Sequence, residues 1–198
     1  MNHPSVDLQG NVISAEVLDQ LVRAEIQGQK PGDFGLPPDT TVDRAIGEAW
    51  TTARTKWKQF QEKRTRITSN GFADTRKHWV KPLLQELGYE LEGAEPELLD
   101  GSEKPFPISL RAEGLEGFPV HLVGVGQPLD ERHANGGRNQ TPHALLQEYL
   151  NHSEHVYGLV TNGLQLRLLR DSTRLGRLAY VEFDLERILE QEIYPDFQ

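Results

Sequence analysis

His121-Leu-Val-Gly-Val-Gly-Gln-Pro-Leu-Asp130 is the stretch on which the fold turns. It follows Pro119-Val120 and alternates apolar residues (Val120, Leu122, Val123, Val125) with small ones, the pattern of a central strand closed by a loop. In an α/β domain the loop end of such a strand is where chemistry is placed. Here that end carries Gly124, Gly126 and Gln127, with no carboxylate or lysine until Asp130.

The rest of the chain is consistent with an α/β (α+β) fold. Ser14 is a helix cap ahead of Val17, Leu18, Leu21, Val22 and Ile26, which follow at helical spacing. A Gly- and Pro-rich loop over 28–39 separates this helix from a longer one starting at Thr40 or Thr41. The longer helix has Ile46, Ala49, Trp50, Ala53, Trp57 and Phe60 as its apolar stripe. Ser69-Asn-Gly71 breaks it, and a third helix is expected from Asp74 to Leu87, with Gly88 as its stop. Pro82 predicts a kink there or a later start.

An acidic, irregular stretch runs from Leu91 to Lys104, followed by a strand from Phe106 to Ala112. Gly114 to Gly117 turns the chain into the central strand. Asp130 to Gln140 reads as a mobile polar loop, and Thr141-Pro142 as a helix start. Val156–Thr161 and Leu164–Leu169 are expected as strands joined by a two-residue Asn162-Gly163 turn. A last strand, Leu178–Phe183, leads into a short helix capped by Asp184 and running through Leu189. The expected architecture is a mixed central sheet flanked by helices, with residues 1–69 as a helical N-terminal extension and 70–198 as the α/β domain.

Bulk composition narrows the function classes. With 198 residues and 36% hydrophobic content, the chain can bury one good core. No apolar run approaches the ~18 residues of a membrane span, and the N-terminus lacks the pattern of a signal peptide. The absence of cysteine excludes disulfides and thiolate metal sites and fits a cytoplasmic location. The net charge of −9 argues against a free-standing nucleic-acid binder, but it is unevenly spread. Residues 50–90 hold 9 Lys/Arg against 4 Asp/Glu, whereas 1–49 hold 3 against 8 and 91–198 hold 9 against 18.

Several spaced blocks together resemble a known family. Thr75-Arg-Lys-His-Trp-Val-Lys-Pro-Leu-Leu-Gln-Glu-Leu-Gly-Tyr89 is similar to the helix that opens the N-terminal region of bacterial restriction-modification methylases of the type IIG-like and DISARM anti-phage kinds. Leu145-Leu-Gln-Glu-Tyr-Leu-Asn151, Gly158 to Asp171 and Ala179 to Leu185 look like its following blocks, and Ile46 to Trp50 with Trp57 suit the lead-in. The same cassette resembles the nuclease domain of type I restriction subunits, with a restriction-endonuclease-like PD-(D/E)XK fold. The resemblance runs from about residue 40 to the end.

What it implies is carried over position by position. Active nucleases of this class present Glu (or Asp), a spacer and Lys on the central strand, and the acids bind magnesium that activates water. The matching positions hold Gly124 and Gly126, so the resemblance implies a lost nuclease site. Gln147 stands where related nucleases keep a polar residue facing the site, with a surface glutamine as the plainer reading. The methylase motifs are missing too: Pro37-Pro38 lies between Leu36 and Asp39 and does not match the adenine-gripping motif. The chain is therefore expected to be a piece of a longer protein. Its S-adenosylmethionine, and its pairing with further methylase domains or defence-system subunits, are implied for the full-length protein only.

For DNA contact the candidates are Arg54, Lys58, Arg66, Arg76, Lys77 and Lys81, set against a plain solvated helix face. His152 and His155, with His121 and His143, invite a metal reading, but no third ligand is fixed by spacing, and the expectation is no metal and no catalytic residue. A rival reading is an active magnesium endonuclease using displaced acids such as Glu113 or Asp130. A third is a protein–protein scaffold driven by the acidic C-terminal part.

Overall fold

The computed structural model describes residues 3–10, 12–135, 138–173 and 179–198. A short strand, β1 (Val6–Gln9), precedes helix α1 (Ala15–Val22), which starts where the Ser14 hydroxyl accepts the Val17 N–H at 3.2 Å. The long helix α2 (Val42–Arg64) is capped in the same way by Thr41 on the Arg44 N–H. Helices α3 (Phe72–Thr75) and α4 (Lys81–Glu86) are joined through a π-helical turn, Arg76–Val80. Pro82 explains that turn. It has no N–H to donate and its ring crowds the carbonyl of residue 78, so the helix takes one wider turn just before it, with Lys81 N–H bonded five residues back to Arg76. The helix accordingly begins at Phe72, ahead of the expected Asp74.

Strands β2 (Glu90–Gly93), β3 (Leu110–Glu113) and β4 (Phe118–Leu122) form an antiparallel meander. β2 lies partly inside the stretch expected to be irregular, because its sequence carries one buried apolar residue, Leu91, and no alternation. The strand expected from Phe106 is shorter than foreseen; Phe106 itself forms only an isolated bridge to Glu97. The expected mobile loop after Asp130 contains a hairpin, β5 (His133–Asn135) and β6 (Arg138–Gln140). Its inner strand is fastened by buried Arg138, which bonds Glu148 at 3.0 Å and the Pro105 carbonyl at 3.2 Å and lies 3.8 Å over the Phe106 ring. Gly136 and Gly137 lie outside the described residues.

Helix α5 (Pro142–His152), capped by Thr141, crosses over to β7 (Tyr157–Thr161), which lies parallel to β4. β8 (Gln165–Arg170), β9 (Tyr180–Asp184), α6 (Leu185–Glu190) and α7 (Tyr194–Phe197) complete the chain, with Leu178 of the expected last strand outside the described residues. The β7–β8 turn differs from the two-residue expectation. Thr161 pairs with Leu166, and only Gly163 has positive φ (+84°). The Asn162 carboxamide oxygen accepts the N–H groups of Leu164 and Gln165, and the Thr161 hydroxyl accepts that of Gly163. Side-chain capping replaces the tight backbone turn.

The result is an α+β protein with a seven-stranded mixed sheet in the order β1-β9-β8-β7-β4-β3-β2. One face packs Val120, Leu122, Leu159 and Leu166 against α2, α4 and α6, with Trp57, Phe60 and Trp79 clustered at its centre. The other packs Val123, Val160 and Leu169 against α5. Residues 1–69, read as a helical extension, supply β1 to the sheet edge beside β9 and α2 to the first core. β1 and α2 therefore pack with residues 70–198. Among the described residues, no helix is long and apolar enough to cross a membrane.

Candidate functional site

The carboxyl ends of β4 and β7 lie side by side, so the loop after Leu122 and the Asn162 turn meet. This is where an open α/β sheet usually holds a ligand. The strand itself stops at Leu122, earlier than expected, and Val123 to Gln127 form a loop most of whose N–H groups are spent on architecture. Val123 N–H bonds the Thr161 carbonyl (2.9 Å), Val125 N–H the Thr75 hydroxyl (3.0 Å), and Gly126 N–H the Asn70 carbonyl (3.0 Å). Asn162 donates to the Gln127 carbonyl (3.2 Å), and the Trp79 indole to the Gly163 carbonyl (2.6 Å).

Gly124 is the decisive position. A Cβ built on it would lie 1.9 Å from the Asn70 carbonyl oxygen and 2.7 Å from the Phe72 nitrogen, both backbone atoms. The segment that breaks α2 from α3 has settled into the space a side chain would need. Gly126 is looser, with Asn70 O at 3.4 Å. Gln147 does not face this loop and is not on the surface. It is buried, donating to the Arg170 carbonyl (3.0 Å) and Asn151 (3.1 Å). Because β8 runs antiparallel to β7, Arg170 lies beside Tyr157, at the opposite end of the sheet from Gly124.

The two displaced acids are likewise separated. Glu113 lies towards the amino end of β4, exposed beside Glu90 and Glu92, and repulsion from Glu92 raises its pKa. Asp130 lies beyond the carboxyl end and is gripped by Arg167 through two bonds of 2.7 Å, which hold its carboxyl below the usual range. They share no metal site.

Arg167 anchors a polar cluster that sequence reasoning missed. It is 4% exposed and bonds Asp130, Glu182 and His143 Nδ1 (3.1 Å), with the Tyr180 ring 5.0 Å away. A guanidinium only donates, so His143 Nδ1 accepts and its proton sits on Nε2, buried with no partner among the described residues. Burial first, then Arg167, pushes the His143 pKa down to about 4. The one sequence signal was an arginine inside Leu166-Arg-Leu-Leu169, on the strand face opposite Leu166 and Leu168.

The basic candidates fall into two groups. Arg54 is paired with Glu192. Lys58, Arg66 and Lys77 are exposed, Arg76 and Lys81 half-buried, and none of these five has an ion pair among the described contacts. Lys63 Nζ approaches the His78 ring at 3.2 Å, and burial first, then Lys63 and Lys77, lowers the His78 pKa against the opposing pull of Asp74 at 3.9 Å. His152 faces the Asp100 carbonyl, and His155 stacks on Tyr149. Among the described residues no group of three or more His, Asp or Glu is placed to hold a metal.

Comparison with protein-family models, with curated proteins and with solved structures finds no match to this chain.

Proposed function

We propose that this chain is a non-catalytic, restriction-endonuclease-like domain of a bacterial restriction or anti-phage methylase, and that it engages DNA through the helices from Trp50 to Leu87. The observation that carries the reading is the Asn70 carbonyl standing where a side chain on Gly124 would be. That position in a nuclease needs an acid for magnesium, and here the backbone occupies it. The α+β sheet, with its central strand opening onto this loop, supports the nuclease-like part. Lys58, Arg66, Arg76, Lys77 and Lys81, with no ion pair among the described residues, support the DNA part. S-adenosylmethionine and the partner subunits belong, in this reading, to the rest of the methylase.

The test is a gel-shift and salt titration with a random-sequence duplex, run beside a cleavage assay in magnesium and in manganese. Binding that weakens with salt and no cleavage are expected. No binding at low salt removes the DNA half, and cleavage that Asp130→Ala abolishes overturns the non-catalytic half.

A further inference from the structure

Along one side of α2 the basic and amide side chains meet an acidic row from the C-terminal segment. Arg54 pairs with Glu192, Gln61 donates to Glu190 at 2.7 Å, and Arg64 pairs with Glu186 at 2.5 Å. These contacts run from Arg54 to Arg64, ten steps along the helix or about 15 Å. Between α2 and α6 lies a cleft of about 210 Å³, with Arg54, Lys58 and Gln61 on one wall and Leu189, Glu190 and Glu192 on the other. Trp57 also lines it, and its indole N–H is buried without an acceptor among the described residues.

We propose that this strip of α2 is a binding site for the phosphates of a nucleic-acid backbone, and that Glu186, Glu190 and Glu192 cover it until DNA displaces them. The inference rests on the DNA-engaging reading above and adds its regulation. Carboxylate and phosphate oxygens present the same acceptors to a guanidinium, so one can substitute for the other. The cover is open to exchange: Arg54 and Glu192 are 34% and 58% exposed, and Arg64 and Glu186 35% and 36%, so water reaches both pairs and screens them. Lys58, with no counter-ion among the described contacts, offers a first foothold. Phosphates arriving there compete directly for Arg54 and Gln61.

The experiment compares duplex binding by the wild-type chain, Glu190→Gln/Glu192→Gln, and a charge-matched control, Glu95→Gln/Glu103→Gln, whose residues are exposed and bonded to nothing described. The cover variant should bind roughly tenfold tighter with a salt slope steeper by about one unit, while the control stays within about twofold of wild type. Adding Arg54→Gln to the cover variant should remove the gain. Wild-type binding with the cover variant matching the control overturns the inference and leaves the DNA reading standing. Binding by the cover variant alone supports the inference. Binding by none of them overturns both.

Discussion

The carbonyl oxygen of Asn70 accepts the Gly126 N–H at 3.0 Å and lies 1.9 Å from where a Cβ on Gly124 would stand. One backbone atom thus both ties the loop down and forbids a side chain at Gly124. In a packed interior such an overlap cannot be relieved without moving the 69–72 segment.

Two substitutions separate these roles. Gly124→Ala should cost about 3 kcal/mol, because its neighbour is backbone and cannot swing away. Gly126→Ala, facing the same oxygen at 3.4 Å, should cost less than about 1 kcal/mol. Urea denaturation of both variants checks this, and equal losses would show that the loop, not the contact, sets the cost.

Replacing Lys58 or Lys77 by Gln should lower the slope of log affinity against log salt by roughly one unit each in a duplex titration. Arg54→Gln in the otherwise native chain should change it less, because its guanidinium is already paired with Glu192. Loss of affinity without any change of slope would mean these side chains do not contact phosphate.

Arg167→Met should destabilise the protein by about 3 kcal/mol, since it leaves Glu182 and Asp130 without their cation beneath α5. Asp130→Asn should cost about 1 kcal/mol or less, because that carboxylate is 69% exposed. Thermal melts of the two variants at neutral pH distinguish them.

Acid should weaken the fold before it protonates most carboxylates. Burial pushes His121 and His143 down to about 4, against about 6.5 in the unfolded chain. A histidine held neutral when folded contributes stability above about pH 6.5, and that stability is lost as pH falls towards 4, when the unfolded chain binds the proton more readily. The loss is on the order of 2–3 kcal/mol for each. Asp130, depressed by Arg167, adds a loss in the same direction at lower pH. Urea midpoints from pH 7 to 4.5 should fall steadily. Imidazole NMR shifts of the folded protein should show both rings still neutral at pH 5; titration of either near 6.5 would refute the burial argument for it.

Helix starts were legible in the sequence because capping is chemistry between residues two or three apart. Ser14, Thr41, Thr141 and Asp184 each accept an N–H three residues on, and Gly88, with φ of +88°, ends α4 as its spacing foretold. The apolar stripe Ala49, Ala53, Trp57, Phe60 was legible for the same reason. Tertiary structure alone decided the rest. β1 and β2 are strands because β9 and β3 lend them hydrogen bonds, not because four residues with one or two apolar side chains prefer extension. Arg167 draws its partners from positions 130, 143 and 182. The pair Gly124-Val-Gly126 could be read from sequence as a missing active site. That Gly124 is filled by Asn70, 54 positions earlier, depends on two distant backbones closing on each other, a contact that no local pattern encodes.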